Sequence, residues 1–400
     1  MFRVGFSEVD ITPPLGLRMS GMLLPPKAQG VVYPLMGRTV VFDDGIDQIA
    51  IISLDLLFLL AGTVAELRHV LSIGSRLRPE HILITCSHTH RGPFTTSLMD
   101  EEVDFSYIDL LREKLVAGMV QAQAALQPAE MWVSRIDAPG WAFNRRPIYR
   151  TVLGEQVGTQ GPVWGENFIG MEAPEDNELK IMAVRTPEGR MLGGLVNFTC
   201  HPTVMGAEPV YSADYCGALT ETLAKRHGGI FAFLQGAAGN QWCINMAKYD
   251  PSRKPAAEDD STPKMDLPFR EMGPEHAVKM GTALADKFDE ALKTARKLPG
   301  RRVLSQSTVL RIPQRRPTQE QVELAKWYLE QRKEEIDQTE FTRKHYGHEY
   351  TFYHNDAIVQ EWFMREAIGM WEWQRRCGQR ELIEEVEVYT LAVDDAAFAG

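Results

Sequence analysis

The segment RTVVFDDGIDQIAIISLD, residues 38–55, commits this chain to a β-sheet. Two apolar, β-branched runs, Arg38–Phe42 and Gln48–Leu54, flank Asp44-Gly45, a dipeptide suited to the tight turn of an antiparallel hairpin. The pattern then switches period repeatedly. Val64–Leu77 has helical spacing, Ile82–Cys86 is a short apolar run, Tyr107–Leu126 reads as a long helix ahead of Pro128, and Glu130–Ile136 is extended. A second hairpin, Leu179–Arg185 and Met191–Cys200 around Pro187-Glu188-Gly189, leads to a helix at Asp214–His227 and a strand at Ile230–Leu234. Glu275–Leu298 is an amphipathic helix and Val303–Ile312 a further strand. Together these predict a mixed α/β (α+β) fold of layered mixed and antiparallel sheets flanked by helices.

Two stretches lack periodicity. Residues 151–175, rich in Gly and Pro, read as an irregular surface loop, and the charged, proline-rich Pro251–Pro268 as an exposed one. Thr318–Gln338 and Asp356–Arg376 are two long helical patterns separated by KHYGHEYTFYHN, an inserted helical hairpin, after which VEVYTLAVDD alternates like a strand. This divides the chain into a core at 1–312, a helical insertion at 313–385 and a returning strand at 386–400. Trp362, Trp371 and Trp373 give the insertion an aromatic surface that could close over an apolar ligand, join a homo-oligomer or fill an ordinary helix–helix core.

Composition narrows the function classes. At 44% hydrophobic content, 400 residues can bury a large core, while a net charge of −11 without a basic block argues against nucleic acid. A small-molecule substrate is expected. The opening MFRVGFSEVDITPP has no basic-then-apolar leader, and no apolar run is long enough to span a bilayer. The expectation is a cytoplasmic protein without an integral membrane segment. Five cysteines without a CxxC pair fit reduced thiols.

The chemistry concentrates where extended runs end. ITCSHTHRGP places His88 and His90 two residues apart, so strand alternation would point both rings to one side. His201 follows the second hairpin and precedes Pro202, which keeps its backbone extended, and QGAAGNQ follows Ile230–Leu234. His88 and His201 are apt zinc ligands, and a water on such an ion becomes a nucleophile near neutral pH. The alternatives are an ordinary hydrogen-bonded side chain at His88 and a helix- or loop-capping one at His201. Asp214 suits an N-cap as well as a site. The glycines of residues 236–239 would let backbone N–H groups approach an oxyanion, whereas no Walker-type phosphate loop is present.

VGFSEVDITPPLGLRMSGM, ITCSHTHRGP, FNRRP, NFTCHPTVMG, YSADYCG and FLQGAAGNQ occur in the order found in the neutral/alkaline ceramidase family. The chain resembles that family's N-terminal catalytic domain over roughly residues 3 to 245 and the strand near the end. The resemblance implies hydrolysis of an amide bond with one Zn2+ ion, His88 and His201 as ligands, and His90 as an acid/base or oxyanion group. Arg145 matches an active-site arginine, with Arg146 as the alternative, and Asn240 joins the catalytic candidates from the Gly-rich loop. Where the family carries a nucleophilic serine, this chain has Trp242. That departure favours zinc-bound water as nucleophile, with Ser87 and Ser212 read as structural hydroxyls. The family's remaining ligands, a glutamate and a tyrosine, would fall after Gly400. A metal ester or phosphoester hydrolase and a non-catalytic binding protein are the competing readings.

Overall fold

A computed structural model describes the chain except for residues 23–24, 98–102, 152–153, 159–162, 164, 207, 250–271, 315, 332–334, 339, 342–343, 345–356, 378–382 and 400. Its two main sheets have five strands each. The first runs Ile82–Cys86, Gln48–Leu54, Met36–Asp43, Arg3–Asp10, Gln127–Pro128; the second runs Ile230–Gln235, Met191–Phe198, Glu178–Arg185, Glu130–Asp137, Arg296–Lys297. Both repeat one device. A hairpin is followed by a helix, Ala61–Ser75 or Asp214–His227, and then by a strand parallel to the hairpin's second arm.

Alternate side chains of each sheet enter different cores. Val41, Ala50 and Ile52 pack with Leu67, Leu71, Leu111 and Leu115 of the helices Ala61–Ser75 and Phe105–Ala124. Val40, Phe42, Ile49 and Ile51 turn the other way, against Met182, Leu195 and Ala232 of the second sheet. That sheet's far face meets Asp214–His227 and Pro274–Leu292 through Leu219, Leu223, Leu284 and Phe288. The result is a four-layered helix–sheet–sheet–helix sandwich, the mixed α/β class expected. Burial on both faces explains why QIAIISL is almost continuously apolar rather than alternating. Inside the sandwich, Ser53 Oγ donates to the Phe233 carbonyl at 2.6 Å, tying the sheets together beneath the ends of their parallel strands.

Several local expectations need correction. Residues 151–175 are not uniformly irregular, because Gly154–Val157 and Phe168–Met171 pair with Pro147–Thr151 in a small sheet whose partners no short window reveals. The helix from Pro274 ends at Leu292, and Arg296–Lys297 joins the second sheet instead. The helix that begins within 318–338, opened by a capping box at Thr318 and Gln321, ends at Glu330 instead of running on to Gln338. Ala357–Arg376 is helical as expected, whereas the 251–268 loop and most of KHYGHEYTFYHN lie outside the described residues. The two helices lie between strands Val303–Pro313 and Ile383–Val393, which pair along their whole length. Ala325 and Tyr328 of the first helix and Met364 of the second pack with Phe341, from the segment between them, in a small cluster distinct from those of the sandwich. The single returning strand expected at 386–400 is instead two, Ile383–Val393 and Ala396–Ala399, which pair with each other and stand with Val303–Pro313 in a three-stranded sheet apart from the two main ones.

Candidate metal centre

The three loops singled out in the sequence meet at the ends of the parallel strands. His88, His90 and His201 form one group whose ligand nitrogens all lie within 4.8 Å of one another. Ring centroids are 4.6 Å apart for His88 and His201, 5.0 Å for His88 and His90, and 5.1 Å for His90 and His201. Strand alternation is not what brings His88 and His90 together. The strand ends at Cys86, and His88 takes a left-handed backbone with φ of 68°. Ser87 N–H donates to Leu54 O at 2.8 Å and His88 N–H to Leu56 O at 2.9 Å, so a turn held by the neighbouring loop performs the convergence. A left-handed non-glycine residue is uncommon and costs local strain, which the surrounding bonds must offset.

Each ring is oriented by a backbone carbonyl on its Nδ1. His88 donates to Leu57 O at 2.9 Å, His90 to Gly21 O at 2.7 Å and His201 to Ala238 O at 2.9 Å. These partners assign the Nδ1–H tautomer to all three rings, leaving every Nε2 as an unprotonated lone pair. His88 Nε2 and His201 Nε2 then face each other at 3.1 Å as two acceptors, a contact that cannot be a hydrogen bond between these tautomers. His90 Nε2 is buried with no hydrogen-bond partner. Two nitrogens sharing a tetrahedral zinc at about 2.0–2.1 Å each stand about 3.3 Å apart. The pair therefore fits one such ion, and backbone carbonyls that accept the far N–H of each imidazole are a usual outer shell of a metal site.

Electrostatics keeps the nitrogens available. Burial is the main cause lowering the pKa of all three rings. His201 falls to about 3, with Arg145 and His88 adding to burial, and His90 lies well below the ordinary value, with His201 and His88 as further causes. The rings are thus neutral at physiological pH, the form that binds metal.

Arg145 and Arg146 diverge. Arg146 Nε pairs with Glu172 at 2.6 Å, while Arg145 directs Nε and Nη2 to the Gly239 carbonyl at 3.0 and 2.8 Å and acts electrostatically on all three histidines. The Gly-rich loop serves these residues through its carbonyls: Ala238 O and Gln241 O take His201 Nδ1 and N–H, and Asn240 O takes Arg145 N–H at 2.8 Å. Asn240 thus abuts Arg145, with its Oδ1 accepting from Gln241 Nε2 at 3.2 Å. The N–H groups of Gly236, Ala238 and Gln241 are engaged within the fold, so the loop is not an open row of donors. Gly236 is required for close approach, since a Cβ there would lie 2.2 Å from Thr199 Oγ1.

Asp214 is not an N-cap. Ala213 holds that position, and Asp214 is the first helical residue, fully buried, with its carboxylate accepting N–H groups of Val204, Met205 and Tyr215. It anchors the loop after His201. Thr89, lying between the paired histidines, donates to Ser212 O at 2.7 Å, and Ser212 Oγ accepts from Asp214 N–H at 3.0 Å. One buried hub therefore links both histidine segments. Trp242 is 2% exposed, and its Nε1 donates to Thr203 Oγ1 at 3.0 Å. Among the described residues the five cysteines are free thiols, and no helix is long and apolar enough to cross a membrane.

No family model and no curated protein matches this chain. Its fold does match solved structures. A neutral ceramidase from Pseudomonas aeruginosa aligns with TM-score 0.62 and 16% identity, covering 98% of this chain and 60% of that one. A ceramidase complexed with C2 aligns with TM-score 0.63 and 16% identity, covering 98% and 62%. The fold is ceramidase-like. The chain spans about three-fifths of the length of these ceramidases, and at such identity the likeness concerns architecture.

Proposed function

We propose that the chain is a zinc-dependent hydrolase of a C–N bond, an amide, in a small substrate. The observation that carries this is the 3.1 Å approach of His88 Nε2 and His201 Nε2 with both Nδ1 atoms committed to carbonyls. The amide comes from the motif resemblance and from the names of the structurally similar proteins, both ceramidases. His88 and His201 hold the ion. Zinc bound there supplies an activated water and polarises a carbonyl.

The other residues act around that pair. His90, neutral and with a ring nitrogen within 4.8 Å of those of His88 and His201, accepts a proton from the attacking water and returns it to the leaving nitrogen. The Arg145 guanidinium, fixed on Gly239 O, stabilises the negative charge developing on the carbonyl oxygen, while Asn240 fixes its backbone. Trp242 cannot attack a carbonyl, and its indole is packed and hydrogen-bonded. On this reading the reaction proceeds by direct attack of water, without an acyl-enzyme on a serine at that position.

The test is turnover of a panel of amides, carboxylic esters and phosphoesters by the chelator-stripped chain before and after one equivalent of zinc. Amide turnover appearing only with zinc supports the proposal. Zinc-dependent cleavage confined to esters or phosphoesters would move the assignment to that class, and zinc binding without turnover would make the chain a binding protein.

A further inference from the structure

The His88 side of the centre is held through backbone carbonyls of a loop that supplies no ligand itself. Segment 54–57 offers three backbone acceptors to the turn: Leu54 O to Ser87 N–H, Leu56 O to His88 N–H, and Leu57 O to His88 Nδ1, at 2.8, 2.9 and 2.9 Å. Each bond presupposes that residues 54–57 stay still. Asp55, 1% exposed, is the group that holds them. Its N–H donates to Met36 O at 3.0 Å, and its Oδ2 accepts both Met36 N–H at 3.0 Å and Arg38 Nη1 at 2.9 Å. Arg38 is in turn fixed by Glu8 at 2.6 Å, so a chain of charges enters the interior from the surface.

The remaining atoms point the same way. Asp55 Oδ1 and Ser87 Oγ are both buried without a partner of normal hydrogen-bond geometry. The hydroxyl is nevertheless near enough to act on the Asp55 carboxyl, opposing the effect of burial. A buried carboxylate oxygen and a buried hydroxyl left unsatisfied side by side are costly unless they serve each other. Ser87 immediately precedes His88, whose left-handed backbone requires external support.

We propose that Asp55 is a positioning residue of the metal centre, fixing the Leu54–Leu57 carbonyls and the Ser87 hydroxyl that together set the His88 ring. The inference rests on reading the histidine cluster as a metal site. Arg38 neutralises the carboxylate, and Ser87 carries its hold into the turn. Ordinary fold stabilisation by the Arg38–Asp55 pair would instead leave the His88 ring untouched.

The experiment compares Asp55→Asn, Ser87→Ala and the outer-pair control Glu8→Gln in the chelator-stripped full chain. Co2+ affinity is read from its visible absorption, and the histidine tautomers from 15N NMR of the metal-free protein. Asp55→Asn is expected to weaken Co2+ binding about 10–100-fold, the usual effect of an outer-shell change. It should also shift the His88 proton off Nδ1 while leaving His201 unchanged. Ser87→Ala should move both readouts the same way, and it decides the matter if Asp55→Asn does not fold. Glu8→Gln should move neither. Unchanged Co2+ affinity and an unchanged His88 tautomer in Ser87→Ala and in any folded Asp55→Asn would overturn the inference alone. Absence of Co2+ binding by the unaltered chain would overturn the metal reading and this inference with it.

Discussion

The Gly21 carbonyl accepts the His90 Nδ1 proton at 2.7 Å, and a methyl group added to Gly21 would stand 2.6 Å from that same nitrogen. Gly21 also has φ of +88°, a conformation that favours glycine. Gly21→Ala should therefore displace the ring it now orients. The expected result is amide turnover reduced toward that of His90→Ala, zinc content retained, and stability lowered by about 1–2 kcal/mol. Turnover and zinc content equal to those of the unaltered chain would show that the ring position does not depend on this contact.

His88 and His90 should separate when replaced one at a time. His88→Ala is expected to lose its zinc, while His90→Ala keeps it and loses about 10²–10⁴-fold in turnover, the range of a general acid–base group. Metal analysis of the two purified variants settles the first half. Full zinc in His88→Ala would remove that residue from the ligand set.

Much of this architecture was legible in the sequence, for a physical reason. Strands buried on both faces read as unbroken apolar runs, so Gln48–Leu54 and Ile82–Cys86 are legible to their observed ends, and Asp44-Gly45 marks the turn between Met36–Asp43 and Gln48–Leu54. Helix Asp214–His227 was equally plain, ending against Gly228. The three histidines were visible as residue types. Their orientation was not, because Leu57, Gly21 and Ala238 act through carbonyls that any residue would supply. The left-handed turn at His88 and the inward reach of Asp214 depend on partners far along the chain, which local periodicity cannot register.

Asp44 gives a pH prediction. Its carboxylate accepts N–H groups of Ile46, Asp47 and Val303 at 2.8, 2.9 and 2.9 Å, joining the first hairpin's turn to the strand Val303–Pro313. Burial opposes its charge, but these backbone bonds prevail and hold the carboxyl below its usual range. The unfolded chain therefore takes up this proton first as pH falls. The stabilisation is complete above the usual carboxylate value of about 4 and is lost as pH drops through the lower folded value. Asp44→Ala should cost about 1 kcal/mol at neutral pH, with the gap narrowing below about pH 4 in denaturant titrations. A gap that persists at low pH would assign the effect to something other than the charge.

Replacing residues 318–376 by a short linker between the paired strands should leave a folded sandwich that still binds zinc. Residues from both helices and the segment between them, Ala325, Tyr328, Phe341 and Met364, form a cluster of their own, which supports reading 313–385 as an insertion. Circular dichroism and a cooperative thermal transition check this. An insoluble or unfolded product would show that the helices complete the core.

With Trp242 buried and hydrogen-bonded, no acyl adduct should form on the protein. In a single turnover in oxygen-18 water, mass spectrometry of the chain is expected to find its mass unchanged and the label in the released acid. An acyl group trapped on a serine would replace direct water attack with covalent catalysis.

The claim on which the rest depends is that His88 and His201 share one ion. Titrating zinc into the chelator-stripped chain against a chromophoric competitor measures this directly. The expected result is one tightly bound zinc per chain, lost in both His88→Ala and His201→Ala. No zinc uptake, or uptake undiminished in both variants, would contradict the account.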